Sequence, residues 1–209
     1  MTGLVRKALT LAAGLTVVAS VAIAGVPDPR NSVVEQTGNP IVGNASGNVY
    51  STSIPGDIPG FEVTVRDVNN APLANRTVAL DFSATTVKVY SAQNAGSTVN
   101  CPAKTISKLT NVSGVAIFGA RVGSFVNTNG VEVSADGVVL ANVKSRSTDI
   151  DGSGGTTNAA DLNLFRVQLF APQPAAAQTD YTIDTLTNSA DLNIFRSELF
   201  TAVVGAYCP

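Results

Sequence analysis

From Phe61 to about Val143, apolar and polar positions alternate, with turn-forming segments interrupting roughly every eight to twelve residues. In FEVTVRDV, Phe61, Val63 and Val65 fall on one side of an extended chain and Glu62, Thr64 and Arg66 on the other, because successive side chains of a strand point to opposite faces. DVNNAPLAN reads as a turn: Asn69 and Asn70 tolerate the left-handed region, and Pro72 blocks continuation of the strand. TVALDF resumes the alternation with Val78, Leu80 and Phe82 inward. Further strands are predicted at TVKVYS, TISKLT, VAIFGARV, VEVSA and VVLANVKS, with Gly114, Gly130 and Gly137 at the breaks. Short strands in this number, without a long helical period, predict a mainly β chain built on an antiparallel sandwich.

The pattern changes near the C-terminus. ADLNLFRVQLF, from Ala160, and ADLNIFRSELF, from Ala190, nearly repeat, each after an acidic, oxygen-rich stretch: TDIDGSGGTTNA before the first and TDYTIDTLTNS before the second. Each string predicts an amphipathic helix, so the chain carries a duplicated unit of acidic loop plus helix.

Such a loop can bind calcium when oxygen donors at positions 1, 3 and 5, a carbonyl at 7, a group at 9 and an acid at 12 converge on one ion. The second copy keeps that spacing with Asp180, Thr182, Asp184, the Leu186 carbonyl, Asn188 and Asp191, but Thr185 holds position 6, where glycine normally permits the sharp turn. The first copy offers Asp149, Asp151, Ser153, Asn158 and Asp161. It is one residue longer, an excess that Gly154-Gly155 can absorb as a bulge, leaving the Gly155 or Thr156 carbonyl as the position-7 donor. Three carboxylates in one loop repel one another without a cation. A plainer interpretation needs no ion: Asn158 caps the first helix and Asn188 or Ser189 the second, with the acids favoured by the helix dipole.

Two resemblances follow. VTVRDVNNAPLANRTVALDF, with TNVSGVAIF and VEVSADGVVLA, resembles bacterial immunoglobulin-like domains of the invasin and intimin kind. It implies an immunoglobulin-like sandwich over 61–147 that serves as a spacer or an adhesive module. The first loop is entered from strand-like VVLANVKS and the second from APQPAAAQ, where Pro172 and Pro174 oppose a helix. Loops with an exiting helix only, over 148–203, resemble the type I dockerin repeat pair. That resemblance implies two calcium ions held by the residues named above, and two antiparallel helices. Leu162, Phe165, Leu169 and Phe170 would then pack against Leu192, Phe195, Leu199 and Phe200. It further implies partner recognition at Ala159-Ala160 with Arg166, and at Ser189-Ala190 with Arg196. Ala159-Ala160 departs from the hydroxyl-bearing or more varied pair common in cohesin-binding dockerins.

Composition narrows the function. Arg6 and Lys7, the apolar run Ala8–Ala24 and the small-x-small end Ala22-Ile23-Ala24 predict a signal peptide over 1–24, so the mature chain is expected to be secreted, outside the cell or on its surface, with no stable membrane insertion. Residues 25–60, rich in Pro, Gly, Asn and Ser, are expected to be an extension with one strand near Ser32–Glu35 or Asn48–Ser53, and 204–209 a tail. The full chain has a formal net charge of −2 and no basic run, which disfavours nucleic acid. It contains no His, which excludes Ser-His-Asp and Cys-His nucleophiles and His-ligated metals, and no paired acids outside the loops point to hydrolysis. Cys101 and Cys208, the only cysteines, are expected to form a disulfide in an exported chain, tying the tail to the β-region, or else Cys208 pairs between molecules. The function expected is therefore a non-enzymatic, calcium-stabilised structural or adhesive protein with self-association or a protein partner. The alternative is a docking module that attaches the sandwich to a cohesin-like partner.

Overall fold

The computed structural model describes residues 25–34, 41–43, 61–93, 95–124, 126–153, 157–172, 178–182, 185–200 and 205–209. The predicted signal peptide lies outside them, as do Asn48–Ser53, Gly155 and Asp184. In chain order the elements are β1 (Val33–Val34), β2 (Ile41–Gly43), β3 (Phe61–Thr64), β4 (Thr77–Asp81), β5 (Lys88–Val89), β6 (Ser97–Asn100), β7 (Thr105–Leu109), β8 (Val115–Phe118), β9 (Val122–Gly123), β10 (Val126–Ala135), β11 (Val138–Ser147), α1 (Ala159–Leu169) and α2 (Ser189–Glu198). Among the described residues the chain is mainly β, with antiparallel sheets and two helices.

Among the described residues three sheets form: β1-β3-β8, β2-β11-β10-β4-β7-β6 and β5-β9. All pairings are antiparallel except β2 with β11, where Ile41 lies opposite Ser145. The alternation explains how the sheets meet. Phe61, Val63 and Val65 are fully or almost fully buried, as are Val78, Leu80 and Phe82. They join Ile106, Phe118, Val131 and Val133 in one hydrophobic cluster fed by the three-stranded and six-stranded sheets. Burying that apolar face is the main stabilising term for the fold, and the arrangement is compatible with a β-sandwich.

Every strand predicted between 61 and 147 is present, with differences in extent. VAIFGARV divides into β8 and β9, and β10 begins at Val126, so that Gly130 lies inside a strand and not between two. The β10–β11 register shifts between Val126 and Val131, where Gly130 sits, as an irregularity with a small residue allows. The expected first strand appears within Ser32–Glu35 as β1. Two strands were not predicted: β2, and the edge strand β6, whose STVN carries no apolar alternation.

The helices and the segments that lead into them form a second, smaller core of Ile150, Phe165, Tyr181 and Phe195, flanked by Leu162, Leu169, Leu192 and Leu199. Phe165 packs on Phe195 with ring centroids 5.0 Å apart and on Tyr181 at 6.1 Å. The expected packing of Phe170 and Phe200 is not found: they are 80% and 67% exposed. Phe170 is the C-cap of α1, and Phe200, beyond α2, has φ 63°, so each has left the helical period that would turn it inward.

The disulfide Cys101–Cys208 is formed within the chain, with Cα atoms 4.9 Å apart. Among the described residues no helix is long and apolar enough to cross a membrane.

Candidate metal centre

β11 leads directly into the first loop. Ser145, Arg146, Ser147, Thr148 and Asp149 are all buried, so the strand carries the leading carboxylate into the protein before the chain turns. The Ser147 hydroxyl donates to the Val122 carbonyl at 2.7 Å and accepts from the Asp149 N–H at 3.1 Å, while the Ser124 N–H donates to the Asp149 carbonyl at 2.7 Å. Asp149 is thereby held against β9 from both sides.

Asp149, Asp151 and Asp161 each place a carboxylate oxygen within 4.8 Å of the others. Asp149 and Asp161 are fully buried and Asp151 is exposed. The two oxygens of Asp149 differ. Oδ2 accepts from the Tyr90 hydroxyl at 3.3 Å and from the Tyr207 hydroxyl, whereas Oδ1 is buried with no hydrogen-bond partner. A buried, unpaired carboxylate oxygen beside two further carboxylates is costly. Burial pushes the Asp149 carboxyl up to about 6; the Tyr207 hydrogen bond opposes the rise, while the charge of Asp161, the proton that the neutral Asp149 acid can share with Asp151, and the charge of Asp151 add to it. Burial also raises Asp161, against backbone hydrogen bonds from Asn158 and Asp151. Asp151, despite its own desolvation, is held below its ordinary value by hydrogen bonds from the Ser153 hydroxyl and N–H. The Ser153 N–H lies 2.7 Å from Asp151 Oδ1. Burial pushes the Tyr90 phenol up to about 12 and the Tyr207 phenol upward as well, so both remain protonated donors.

These residues fit a hard divalent cation. The donor set is all oxygen, and one buried oxygen has no hydrogen-bond partner, a lack that a cation would satisfy. Nitrogen and sulfur donors, which zinc and copper prefer, play no part.

The helix-capping interpretation is also realised, and it shares residues with the cation interpretation. Asn158 caps α1 and Asn188, not Ser189, caps α2, each with a capping box closed by the acid three residues on. Asp161 Oδ2 accepts the Asn158 N–H at 2.9 Å and Oδ1 the Asp151 N–H at 3.1 Å. Asp191 does the same in the second loop, with Asn188 at 2.9 Å and Thr182 at 2.8 Å. A carboxylate oxygen that accepts one N–H retains capacity for a cation, so the two roles are compatible.

The second loop is built differently at its leading acid. Asp180 Oδ2 lies 3.3 Å from Nη1 of Arg146 on β11 and accepts the Thr185 N–H at 3.1 Å. Arg146 is 4% exposed, so the ion pair is buried. Thr185, at the position where glycine is usual, has φ 75°, which means that the sharp turn is kept with a β-branched residue in the left-handed region. Leu186 is 42% exposed.

Three features of this region were missed in the sequence. Thr148 and Thr157 pair through their hydroxyls at 2.9 Å, and Thr179 and Thr187 do so at 2.8 Å, closing the mouth of each loop. Their signal was present, because a Thr precedes both the leading Asp and the capping Asn in each copy. Ile150 and Tyr181, each second in its loop, are core residues, and the Tyr181 hydroxyl donates to the Ser147 carbonyl at 3.2 Å. The tyrosines on Asp149 left no sequence signal at all. Of the expected partner-binding residues, Arg166, Ser189 and Arg196 are exposed. Arg166 and Arg196 line a groove between the helices with Leu162, Leu169, Phe170, Leu192 and Leu199.

No protein-family model matches the chain, and comparison with curated proteins and with solved structures finds no match either.

Proposed function

We propose that this chain is an exported, non-enzymatic structural or adhesive protein stabilised by calcium. Its immunoglobulin-like sandwich forms the body, and the dockerin-like loop–helix pair braces the C-terminal part against it. The observation that carries the proposal is the buried Asp149 Oδ1, which has no partner inside a cluster of three carboxylates. A ligand set made only of oxygens on an irregular loop suits calcium, which accepts variable coordination, better than magnesium, which demands a near-ideal octahedron. The disulfide supports an oxidising compartment, in agreement with the basic and apolar start of the chain. Among the described residues β6 ends its sheet, and an edge strand is a place where copies could associate.

Calcium sites of extracellular modules commonly have dissociation constants of about 10⁻⁴–10⁻³ M. An ion at a hundredfold excess over its constant then adds about 2.7 kcal/mol to the folded state. Melting with calcium and with EGTA, and particle size by light scattering in both, test the proposal together. A lower melting temperature in EGTA is expected; a melting curve indifferent to EGTA would refute the calcium role.

A second reading, docking to a cohesin-like partner, draws support from the groove between the helices, where the exposed Phe170 lies beside Arg166 and Arg196. Calcium-dependent capture of a cohesin domain would favour it over the brace.

A further inference from the structure

The C-terminal tail is bound at the first loop by more than its disulfide. The Ala206 carbonyl accepts from the Ser91 N–H at 2.8 Å and from the Ser91 hydroxyl at 2.9 Å, and the Cys208 N–H donates to the Val89 carbonyl at 2.8 Å. Tyr207 thus pairs antiparallel with Tyr90, and their rings lie 4.3 Å apart. Both hydroxyls converge on the same oxygen of Asp149, Oδ2, which leaves Oδ1 as the oxygen open to a cation.

The path of the tail depends on Gly123. A Cβ there would overlap the Tyr207 hydroxyl and crowd Asp149 Oδ2, so the absence of a side chain on β9 is what opens the slot. Lys88 frames the same slot, with Nζ 5.4 Å from the Tyr207 ring centre and donating to the Gly152 carbonyl at 2.8 Å. A sheet residue without a side chain, a tilted ring pair and a disulfide between cysteines 107 residues apart all deliver one hydroxyl to one carboxylate oxygen.

We infer that Tyr207 is a positioning residue of the cation site: seated by the Cys101–Cys208 disulfide, it fixes Asp149 so that Oδ1 faces the ion, which couples cation affinity to the state of the disulfide. The inference rests on the calcium reading of the first loop. Partners that orient a metal ligand are commonly worth about 10–100-fold in affinity, and coupling between two binding equilibria is reciprocal. Opening the disulfide therefore weakens calcium binding, and bound calcium by the same factor favours the closed disulfide in a thiol–disulfide buffer.

The test is a calorimetric titration of the full mature chain with calcium chloride, for the native protein, Tyr207→Phe, and the native protein after mild reduction. Tyr207→Phe keeps the ring on Tyr90 and removes only the hydroxyl. The expected result is an affinity about tenfold weaker or more in both altered forms, beyond whatever the loss of one buried hydrogen bond does to the calcium-free melting temperature of Tyr207→Phe. A purely structural hydroxyl would leave the calcium affinity alone, whatever its removal does to the calcium-free melting temperature. Should reduction unfold the chain, Tyr207→Phe decides by itself. Native calcium binding with native affinity in Tyr207→Phe would overturn the inference while sparing the calcium reading. Absence of calcium binding by the native protein would overturn both.

Discussion

Asp149 and Asp180 stand at the same place in two copies of one loop–helix unit, and the β-region meets them with different chemistry. Oδ2 of Asp149 accepts from two neutral phenols, and Oδ1 has no hydrogen-bond partner. Oδ2 of Asp180 is ion-paired with the buried Arg146 guanidinium, 3.3 Å away. Beyond these acids the copies converge: Asn158 and Asn188 cap, Asp161 and Asp191 close the boxes, and a pair of threonines shuts each mouth. Duplicated sequence thus preserves the loop, while the surface on which each copy lands sets the charge inside it. The first loop retains an uncompensated cluster of negative charge, and the second has part of its charge answered by the protein. Cation affinity is therefore expected to be greater in the first.

Removing the protein's own cation should have the largest effect. Arg146→Leu strands the buried Asp180 carboxylate, and breaking such a pair costs about 3–5 kcal/mol. Denaturant unfolding in EGTA measures this, and a cost below about 1 kcal/mol, usual for exposed pairs, would mean that the two loops differ less than their contacts imply.

The pH dependence of the calcium-free protein comes next. Asp149 is held at about 6 in the folded chain against 3.8 ordinarily, and Asp161 shifts in the same direction. A carboxyl raised by folding stabilises the folded state fully below its ordinary value and loses that contribution as pH rises through the folded value. The calcium-free protein should therefore lose up to about 3 kcal/mol of stability between pH 4 and pH 7 from Asp149. Saturating calcium should remove or reverse this trend, since the ion binds the ionised form. Urea unfolding at both pH values, with and without calcium, checks the sign. Stability that rises with pH in EGTA would contradict the burial of an unpaired charge in the first loop.

The smallest effect should be found at the turn of the second loop. Thr185 occupies the left-handed region at φ 75°, a conformation that costs a β-branched residue about 1 kcal/mol or more and glycine little. Thr185→Gly should raise stability by up to about 1 kcal/mol, after the greater freedom of glycine in the unfolded chain is subtracted. A loss of stability would show that the hydroxyl or methyl of Thr185 contributes more than its backbone strain costs.

How far the molecule could be read from its sequence follows from the range of the interactions involved. Burial of one strand face writes a period of two into the chain, so β3 and β4 were legible down to the inward residues Phe61, Val63, Val78 and Leu80. The edge strand β6 buries no side chain fully and writes no such period. Local capping chemistry made Asn158, Asp161, Asn188 and Asp191 legible, because donor and acceptor lie within one turn. Phe170 and Phe200 misled because they continue the apolar stripe in sequence after the helices have ended. Tyr90, Tyr207 and Arg146 were illegible for the opposite reason. Tyr90 and Tyr207 meet Asp149 from 59 and 58 residues away, and only the assembled sheets bring them there.

The central claim is that the first loop holds a cation through Asp149, and equilibrium calcium binding to the native chain and to Asp149→Asn tests it most directly. We expect the native protein to bind calcium and Asp149→Asn to lose the ion of the first loop, while the calcium-free variant is at least as stable as the calcium-free native chain because a buried charge has been removed. Equal binding by both, or a calcium-free variant that is less stable than the native chain, would contradict it.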